Sequence, residues 1–375
     1  MINFEKRLGR LKVRRQGALE LGTLEKMAMY ESVGLDSLSL DDRKKENYET
    51  LRHSDAIKYT IGAMSPVDEK STQVSIDEGE RVANTLIDML ETSGIKTSFR
   101  MQGSVPLNVH IKGHSDVDML ILIKGTFLYE NPRAPGVFYF PASDKRPMED
   151  ILRELRENSE EKLTTRYFAT EVDCSNAKSI AMSGGSLKRK IDIVPSCWYN
   201  NIEYQLTDDD SERQVKIYNK DEHILLGNSP FKHIKLVDEK DQMYNGNLKK
   251  CVRLVKNLVA DMPDDKKKKA KKLTSFDIVG VVYNMNEKLN VNSYTPLALV
   301  DAVRQQFNVL RLFHSALNIK VPDGSREVLD SEEKISALEV IYDEIRALSE
   351  ALYKDIVPLG GAYKSEPLKE KIIIV

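Results

Sequence analysis

The sequence predicts an α+β fold, in which a mixed sheet flanked by helices is followed by an all-helical domain. Short apolar runs rich in β-branched residues alternate with amphipathic helices as far as Pro230, and only helical patterns follow. A chain of 375 residues is long for one core and comfortable for two domains. We therefore predict a first domain at residues 1–230 and a helical domain at residues 231–375.

The composition describes a folded protein with balanced charge. Hydrophobic residues make up 41% of the chain and charged residues 30%, which excludes a disordered protein. The 56 basic residues nearly balance the 58 acidic ones, so any nucleic-acid surface must be local. Cys174, Cys197 and Cys251 are scattered without Cys-x-x-Cys spacing, which favours a reducing cytoplasm and argues against zinc.

The amino terminus carries charges throughout and lacks the apolar core of a signal peptide. No apolar run approaches the ~20 residues that cross a bilayer, so we expect a cytoplasmic protein with no membrane partner. Residues 1–30 have the pattern of a basic amphipathic helix, with apolar positions that include Phe4, Leu8, Leu11, Leu19 and Leu21. A helix that braces the first domain explains this pattern better than a membrane-surface helix.

A helix and a strand lead to a glycine turn. Ser75 and Glu78 predict a capping box for a helix that ends at Gly94. A strand is then expected over Thr97–Gln102, directly before Gly103 and Ser104. A glycine turn lets backbone N–H groups and a hydroxyl approach a phosphate.

Two aspartates open the most apolar strand. Asp116 and Asp118 flank Val117, and Met119 to Ile123 complete a run typical of a buried strand. Because side chains alternate along a strand, both carboxylates leave the same face. Like charges this close repel unless a cation lies between them, which predicts two divalent ions. Asp-x-Asp alone is common in surface turns, so the glycine turn upstream is needed to predict a metal-bound nucleoside triphosphate.

The loop between these motifs contains two histidines. His110 and His114 are four residues apart, a spacing that suits a metal site on a helix. Because residues 105–115 show no helical pattern, a role in the loop is favoured.

A third acid follows on a predicted hairpin. Residues 125–147 are rich in proline and aromatic residues, which indicates an ordered insertion, and a helix is expected from Pro147 to Arg166. Ser179–Met182 and Leu187–Val194 then flank a Ser-Gly-Gly-Ser turn. Asp192 falls on the returning strand, either as a third metal ligand or as a hydrogen-bonded structural acid.

Two short strands complete the predicted sheet, at Ile202–Leu206 and Gln214–Asn219. Tyr199 and Tyr204 follow the third acid closely. Stacking on a nucleobase is one interpretation of these tyrosines, and packing inside the domain is the other.

The helical domain has two basic features. In a helix over Asn247–Met262, the side chains of Lys249, Arg253 and Lys256 share one side, which as a solvated face needs no ligand. The run Lys266–Lys272 is expected to be a solvated loop, because no aromatic residues are interleaved to favour nucleic acid. Further helices are expected at Phe276–Lys288, Pro296–Leu317 and Ser331–Lys354.

These motifs, in this order, resemble the DNA polymerase beta-like nucleotidyltransferase superfamily. Its pattern is a Gly-Ser turn, a strand with paired acids and a third acid on a later strand. Within that superfamily, the chain resembles the cyclic GMP-AMP synthase and DncV-like enzymes, the CD-NTases. Asn247–Met262 and Leu273–Tyr283 look like the spine helix and the Ser-Phe helix of that family, and Val321–Gly324 also match.

The resemblance implies which residues form the site. The implied catalytic residues, which also bind Mg²⁺ or Mn²⁺, are Asp116, Asp118 and Asp192. The implied nucleotide-binding residues are Gln102, Gly103, Ser104, Lys256 and Ser275. Lys249 is the alternative to Lys256 if the helix register differs. The helical domain would then complete the nucleotide pocket.

The resemblance also implies the activity. CD-NTases join ribonucleoside triphosphates such as ATP and GTP into a cyclic di- or oligonucleotide, release pyrophosphate, and signal to an effector in bacterial antiphage defence. Spacing and composition alone do not indicate cyclisation. A regulatory protein or ligand stays open as a partner, and nucleic acid is not favoured. The alternatives are a nucleotidyltransferase that modifies RNA or protein, and a catalytically inactive nucleotide sensor.

Overall fold

The structure is a computed structural model that describes residues 2–16 and 45–374. The chain divides into two compact units. The sheet unit comprises residues 68–108 and 115–236, and the helical unit comprises residues 1–67, 109–114 and 237–375. No described helix is long and apolar enough to span a membrane.

The sheet unit has eight described strands: β1 (Thr97–Gln102), β2 (Val117–Ile123), β3 (Leu128–Tyr129), β4 (Glu171–Asp173), β5 (Ile180–Ser183), β6 (Ile191–Asn200), β7 (Gln214–Asn219) and β8 (Ile224–Asn228). They form one mixed sheet in the order β1-β2-β6-β5-β4. β2 runs parallel to β6, while β1 and β5 pair antiparallel with β2 and β6. The second half of β6 pairs with β3 and β7, and β8 pairs with β7. The predicted mixed sheet and the hairpin β5–β6 are confirmed.

The described helices, in chain order, are α1 (Phe4–Gln16), α2 (Asn47–Thr50), α3 (Asp55–Met64), α4 (Glu69–Glu91), α5 (Met148–Arg166), α6 (Ile202–Thr207), α7 (Pro230–Met243), α8 (Asn247–Ala260), α9 (Asp264–Ala270), α10 (Ser275–Tyr283), α11 (Ala298–Leu317), α12 (Glu332–Ile356) and α13 (Glu366–Glu370). A single 3₁₀ turn at Asn286–Leu289 follows α10. Five of them, α5, α8, α10, α11 and α12, coincide with predicted helices to within about five residues at each end.

One face of the sheet is covered by helices. α4 and α5 contribute Val82, Leu86 and Leu152 to a core that includes Met119 and Ile193. α4 is amphipathic, so burial of its apolar stripe against the sheet accounts for its position. The opposite face carries a much smaller apolar cluster.

Three local predictions are wrong. The strand expected at Ile202–Leu206 is the helix α6, because the Asn201 side chain caps its first turn. α4 begins at Glu69 with Asp68 as its N-cap, so Ser75 and Glu78 lie inside the helix rather than in a capping box. The lysine run is largely helical, since α9 covers Asp264–Ala270.

The observed units differ from the predicted division at residue 230 mainly in where the amino-terminal residues belong. Residues 1–67 belong to the helical unit, where α1 packs on α3 and α3 packs on α8. Arg14 in α1 forms a paired contact with Asp261 at 2.7 and 3.0 Å, and Tyr59 in α3 donates to Asp261 at 2.8 Å. The predicted apolar positions Phe4, Leu8 and Leu11 are buried, whereas Leu19 and Leu21 lie outside the described residues.

Candidate active site

Three aspartates lie where β2 and β6 begin. Asp116 directly precedes β2, Asp118 is the second residue of β2, and Asp192 is the second residue of β6. Asp118 and Asp192 are register partners in the parallel pair of strands. The predicted placement of these two acids on adjacent strands is confirmed, and their catalytic roles stay predictions.

The pattern of burial shows which face the acids share. Two residues after Asp118 and Asp192, Leu120 and Val194 belong to the small apolar cluster on the face opposite α4 and α5. Because side chains alternate along a strand, both acids point to that same face. The acids therefore lie on the side of the sheet that the helices α4 and α5 do not cover.

The acids interact electrostatically. Burial and, to a smaller extent, the negative charge of Asp116 raise the pKa of Asp192 to about 6, while Lys190 opposes the shift. A carboxyl group whose ionised form is disfavoured by burial and by a like charge is typical of functional sites. The Asp192 carboxylate thus carries a cost that a bound cation would relieve.

Gly103 holds the turn against Asp118. Its φ of +82° lies in the left-handed region, which favours glycine. A Cβ atom at this position would overlap the Oδ2 atom of Asp118. The glycine is therefore required both by the backbone conformation and by the close approach of the carboxylate.

The neighbours of Gly103 are partly buried. Gln102 pairs with Asp118 across β1 and β2, and its Oε1 atom accepts a hydrogen bond from Asn228 at 3.1 Å. Ser104 begins the turn region that leads away from β1. Sequence reasoning missed Asn228, because β8 was not predicted.

The chemistry of the donor set fits a divalent cation. Carboxylates are the ligands that Mg²⁺ and Mn²⁺ prefer, and the turn at Gly103 admits the Asp118 carboxylate where a larger residue would not. Among residues 2–16 and 45–374, no three His, Cys, Asp or Glu side chains are gathered into a group that could hold a metal ion.

Comparison with known proteins identifies the family. Residues 235–349 match the model of the cGAS/DncV-like nucleotidyltransferase C-terminal helical domain. A cyclic dinucleotide synthase CdnE from Yersinia aleksiciae is 33% identical over 362 residues, covering 94% of this chain and 93% of the relative. The chain belongs to the CD-NTase family. It is therefore a nucleotidyltransferase, as the sequence motifs predict.

Two further likenesses agree with this family. A c-di-GMP synthase from a Lachnospiraceae bacterium (strain RUG226) is 32% identical over 255 residues, covering 62% of this chain and 70% of the relative. The solved structure of a STING-associated CdnE c-di-GMP synthase from Flavobacteriaceae sp. superposes with a TM-score of 0.70 at 22% identity. That superposition covers 94% of this chain and 99% of that chain. The predicted α+β fold of this CD-NTase is thus confirmed.

Two predicted nucleotide ligands of this CD-NTase lie in the helical unit. Lys256 in α8 is only 6% exposed, and its Nζ atom donates to the carbonyl oxygen of Val109 at 2.9 Å. Ser275 is the exposed first residue of α10, next to the N-cap Thr274. Their contact with a triphosphate stays a prediction.

The basic side of α8 is not the solvated face that its sequence suggests. Arg253 is 5% exposed, and its Nε atom donates to the carbonyl oxygen of Met64 at 2.7 Å. Lys249, the alternative to Lys256, forms an ion pair with Asp238 at 2.6 Å. α8 is therefore buried on all sides within the helical unit, and its cations bind backbone carbonyls and acids of that unit.

The two histidines predicted in the loop, His110 and His114, lie in the short segment 109–114 of the helical unit. His110 is buried, and burial together with the charges of Arg14 and Lys267 lowers the pKa of His114 to about 4. An imidazole of this kind is neutral at pH 7.

The two tyrosines considered for nucleobase stacking, Tyr199 and Tyr204, both lie next to cations. The Nζ atom of Lys216 is 4.3 Å from the centre of the Tyr199 ring. The guanidinium of Arg213 lies 4.9 Å from the Tyr204 ring and 4.3 Å from the Trp198 ring. These rings bind internal cations, which favours packing over nucleobase stacking.

Proposed function

We propose that this CD-NTase joins ribonucleoside triphosphates into a cyclic dinucleotide, using Mg²⁺ or Mn²⁺ and releasing pyrophosphate. The observation that carries the proposal is the pairing of Asp118 with Asp192 beside the turn at Gly103. The name of the Yersinia relative, which matches nearly the whole chain, supports a cyclic dinucleotide as the product.

The carboxylates would hold the metal. Asp116, Asp118 and Asp192 are the ligands, and the ions, when bound, neutralise the triphosphate charge and make the attacking hydroxyl more acidic. Asp192 is the proposed acceptor, at its carboxylate oxygen, of the proton of that hydroxyl.

Other residues bind and orient the donor. The backbone N–H groups of the turn at Gly103 and the hydroxyl of Ser104 would contact its phosphates. Lys256 and Ser275 are the proposed triphosphate ligands of the helical unit, by their match to the family. Attack of a 2′- or 3′-hydroxyl oxygen on the α-phosphorus forms one phosphodiester and releases pyrophosphate. A second such attack within the linear product closes the ring.

The biological role follows the family. We infer that the cyclic dinucleotide is a second messenger of antiphage defence that activates a separate effector, and that a regulatory protein or ligand controls synthesis. The description of the Flavobacteriaceae enzyme as STING-associated supports an effector that recognises a cyclic dinucleotide. GTP is the first substrate to test, since two of the compared relatives are named c-di-GMP synthases.

The test compares the wild-type protein with Asp116→Asn plus Asp118→Asn. Each protein is incubated with the four ribonucleotides, singly and in pairs, with Mg²⁺ or Mn²⁺, and the small products are identified by mass spectrometry. We expect a cyclic dinucleotide and pyrophosphate from the wild type and neither from the double variant. Asp221→Asn, an exposed acid of the same unit, is the matched control and should retain activity.

Three results would contradict the proposal. Equal turnover by both proteins would refute the assignment of the acids. Label that stays attached to RNA or protein would indicate a transferase that modifies macromolecules. Triphosphate binding without pyrophosphate release would indicate a sensor.

A further inference from the structure

A cavity of about 600 Å³ lies within the helical unit. Its walls come from α1 and the two residues before it, from α9 and the turn that precedes it, and from α12. This volume is in the range of sites that bind small molecules. We propose that the cavity binds a phosphorylated ligand of nucleotide size, at a site separate from the three aspartates of the sheet unit.

The charge of the walls favours an anion. The lining cations are Lys6, Arg7, Arg10, Lys266 and Arg346, and the lining acids are Asp261, Asp343 and Glu344. The walls therefore carry an excess of two positive charges. A phosphate group brings the opposite sign, and planar guanidinium groups bind its oxygens in pairs.

The acids of the cavity are bound by arginines. Glu344 in α12 pairs with Arg7, and Asp343 pairs with Arg346 at 3.2 Å. Asp261 accepts from both terminal nitrogens of Arg14, and this arginine and Tyr59 lower the pKa of Asp261 against the effect of burial. Because each carboxylate already interacts with a cation, repulsion of an incoming phosphate is reduced.

Arg7 provides an unused donor. Its side chain is nine-tenths buried, and its Nη2 atom donates to Glu344. Its Nη1 atom is buried and has no hydrogen-bond partner among residues 2–16 and 45–374. A buried guanidinium N–H without an acceptor is costly, and native proteins satisfy such groups. A phosphate oxygen in the cavity would supply the acceptor.

Three cations and one acid, Asp261, act on His114 of the same unit. Besides burial, the positive charges of Arg14, Lys267 and Lys271 lower its pKa. Lys267 belongs to α9, the same helix that contributes Lys266 to the cavity wall. Protonation of an imidazole is thus disfavoured where binding of an anion would be favoured.

Two sources of the ligand share this chemistry: a nucleoside triphosphate, and a cyclic dinucleotide with two phosphodiesters. The test measures binding by titration calorimetry in EDTA, with GTP, c-di-GMP and inorganic tripolyphosphate as probes. The full chain carries Asp116→Asn plus Asp118→Asn, so that metal-dependent nucleotide binding at the aspartates does not contribute. The calorimetric readout does not depend on catalysis. This test can therefore fail while the proposed function holds, and it can succeed if the proposed function is wrong.

The site variant is Lys266→Glu plus Arg346→Glu, both exposed residues of the cavity wall. The matched control is Lys268→Glu plus Lys269→Glu, exposed lysines of α9 that do not line the cavity. We expect one ligand per chain. Because two attractive charges become repulsive, binding should weaken about tenfold or more in the site variant and less than about threefold in the control.

The organic probe that binds more tightly identifies the source. Absence of binding by all three probes, or equal weakening in the two variants, would overturn the proposal. The milder pair Lys266→Gln plus Arg346→Gln replaces the site variant if charge reversal lowers the melting temperature. For this milder pair we expect the loss of binding free energy to be about half of that expected for the charge-reversal pair.

Discussion

Asp192→Asn should stabilise this nucleotidyltransferase at neutral pH. The pKa of Asp192 is about 6 in the folded state, against 3.8 for an unperturbed aspartate. The folded state therefore holds this proton more tightly than the unfolded chain does. Ionisation of Asp192 lowers the free energy of unfolding as pH rises from about 4 to about 6, and the cost is fully present at pH 7.5.

The magnitude follows from the size of the shift. Two pKa units correspond to about 3 kcal/mol, which is an upper limit because the half-buried carboxyl is partly screened by solvent. We expect the Asn variant to gain about 1–2 kcal/mol at pH 7.5 and to equal the wild type near pH 3. The gain arises because the amide carries no charge against Asp116.

The assay is guanidinium unfolding of both proteins between pH 3.5 and pH 7.5. Asp221→Asn is the control, and its stability should depend on pH as that of the wild type does. Added Mg²⁺ or Mn²⁺ should raise the unfolding midpoint of the wild type and have a smaller effect on Asp192→Asn, since a ligand that binds only the folded state stabilises it. A variant that is less stable at pH 7.5, or a difference that does not change with pH, would refute this reasoning.

Two further predictions concern the turn and the amino-terminal helix. Gly103→Ala should reduce activity about 100-fold, because the added Cβ atom displaces Asp118. The control is Gly94→Ala, at a similar positive φ but in open space, which should lose only about 1 kcal/mol of stability and no activity. Equal turnover by the two variants would argue against the contact between Gly103 and Asp118. Arg14→Met should destabilise the protein by about 3–5 kcal/mol, because it leaves the charge of Asp261 buried without its arginine. In thermal unfolding, the double variant Arg14→Met plus Asp261→Asn should regain part of this stability. A double variant no more stable than Arg14→Met would contradict the ion pair.

The sheet and its acids could be predicted because their signals are local. An apolar run that begins at paired acids predicts β2, and the Ser-Gly-Gly-Ser turn predicts the hairpin that carries Asp192. The parallel pairing of β2 with β6 is not visible locally, since it joins segments about 70 residues apart in the sequence. The chemistry of three acids and the family pattern predict only that the strands carrying Asp118 and Asp192 are neighbours.

Other features depend on tertiary contacts that no short motif reveals. α6 has β-branched and aromatic residues but is helical, because Asn201 caps it. The spacing of the cations of α8 predicts a solvated face, yet Arg253 and Lys256 donate hydrogen bonds to backbone carbonyl groups of segments distant in sequence. Residues 1–67 belong to the helical unit, where Arg14 and Tyr59 contact Asp261, and the sequence does not show this pairing.

The short segment at residues 109–114 has a mechanical consequence. The chain leaves the sheet unit after Asn108 and re-enters it at Ser115, so the glycine turn and the paired acids are both covalently attached to a segment of the helical unit. Lys256 fastens that segment through Val109. The predicted phosphate-binding turn and the predicted metal ligands are therefore joined in sequence by a segment whose backbone accepts a hydrogen bond from a lysine of α8.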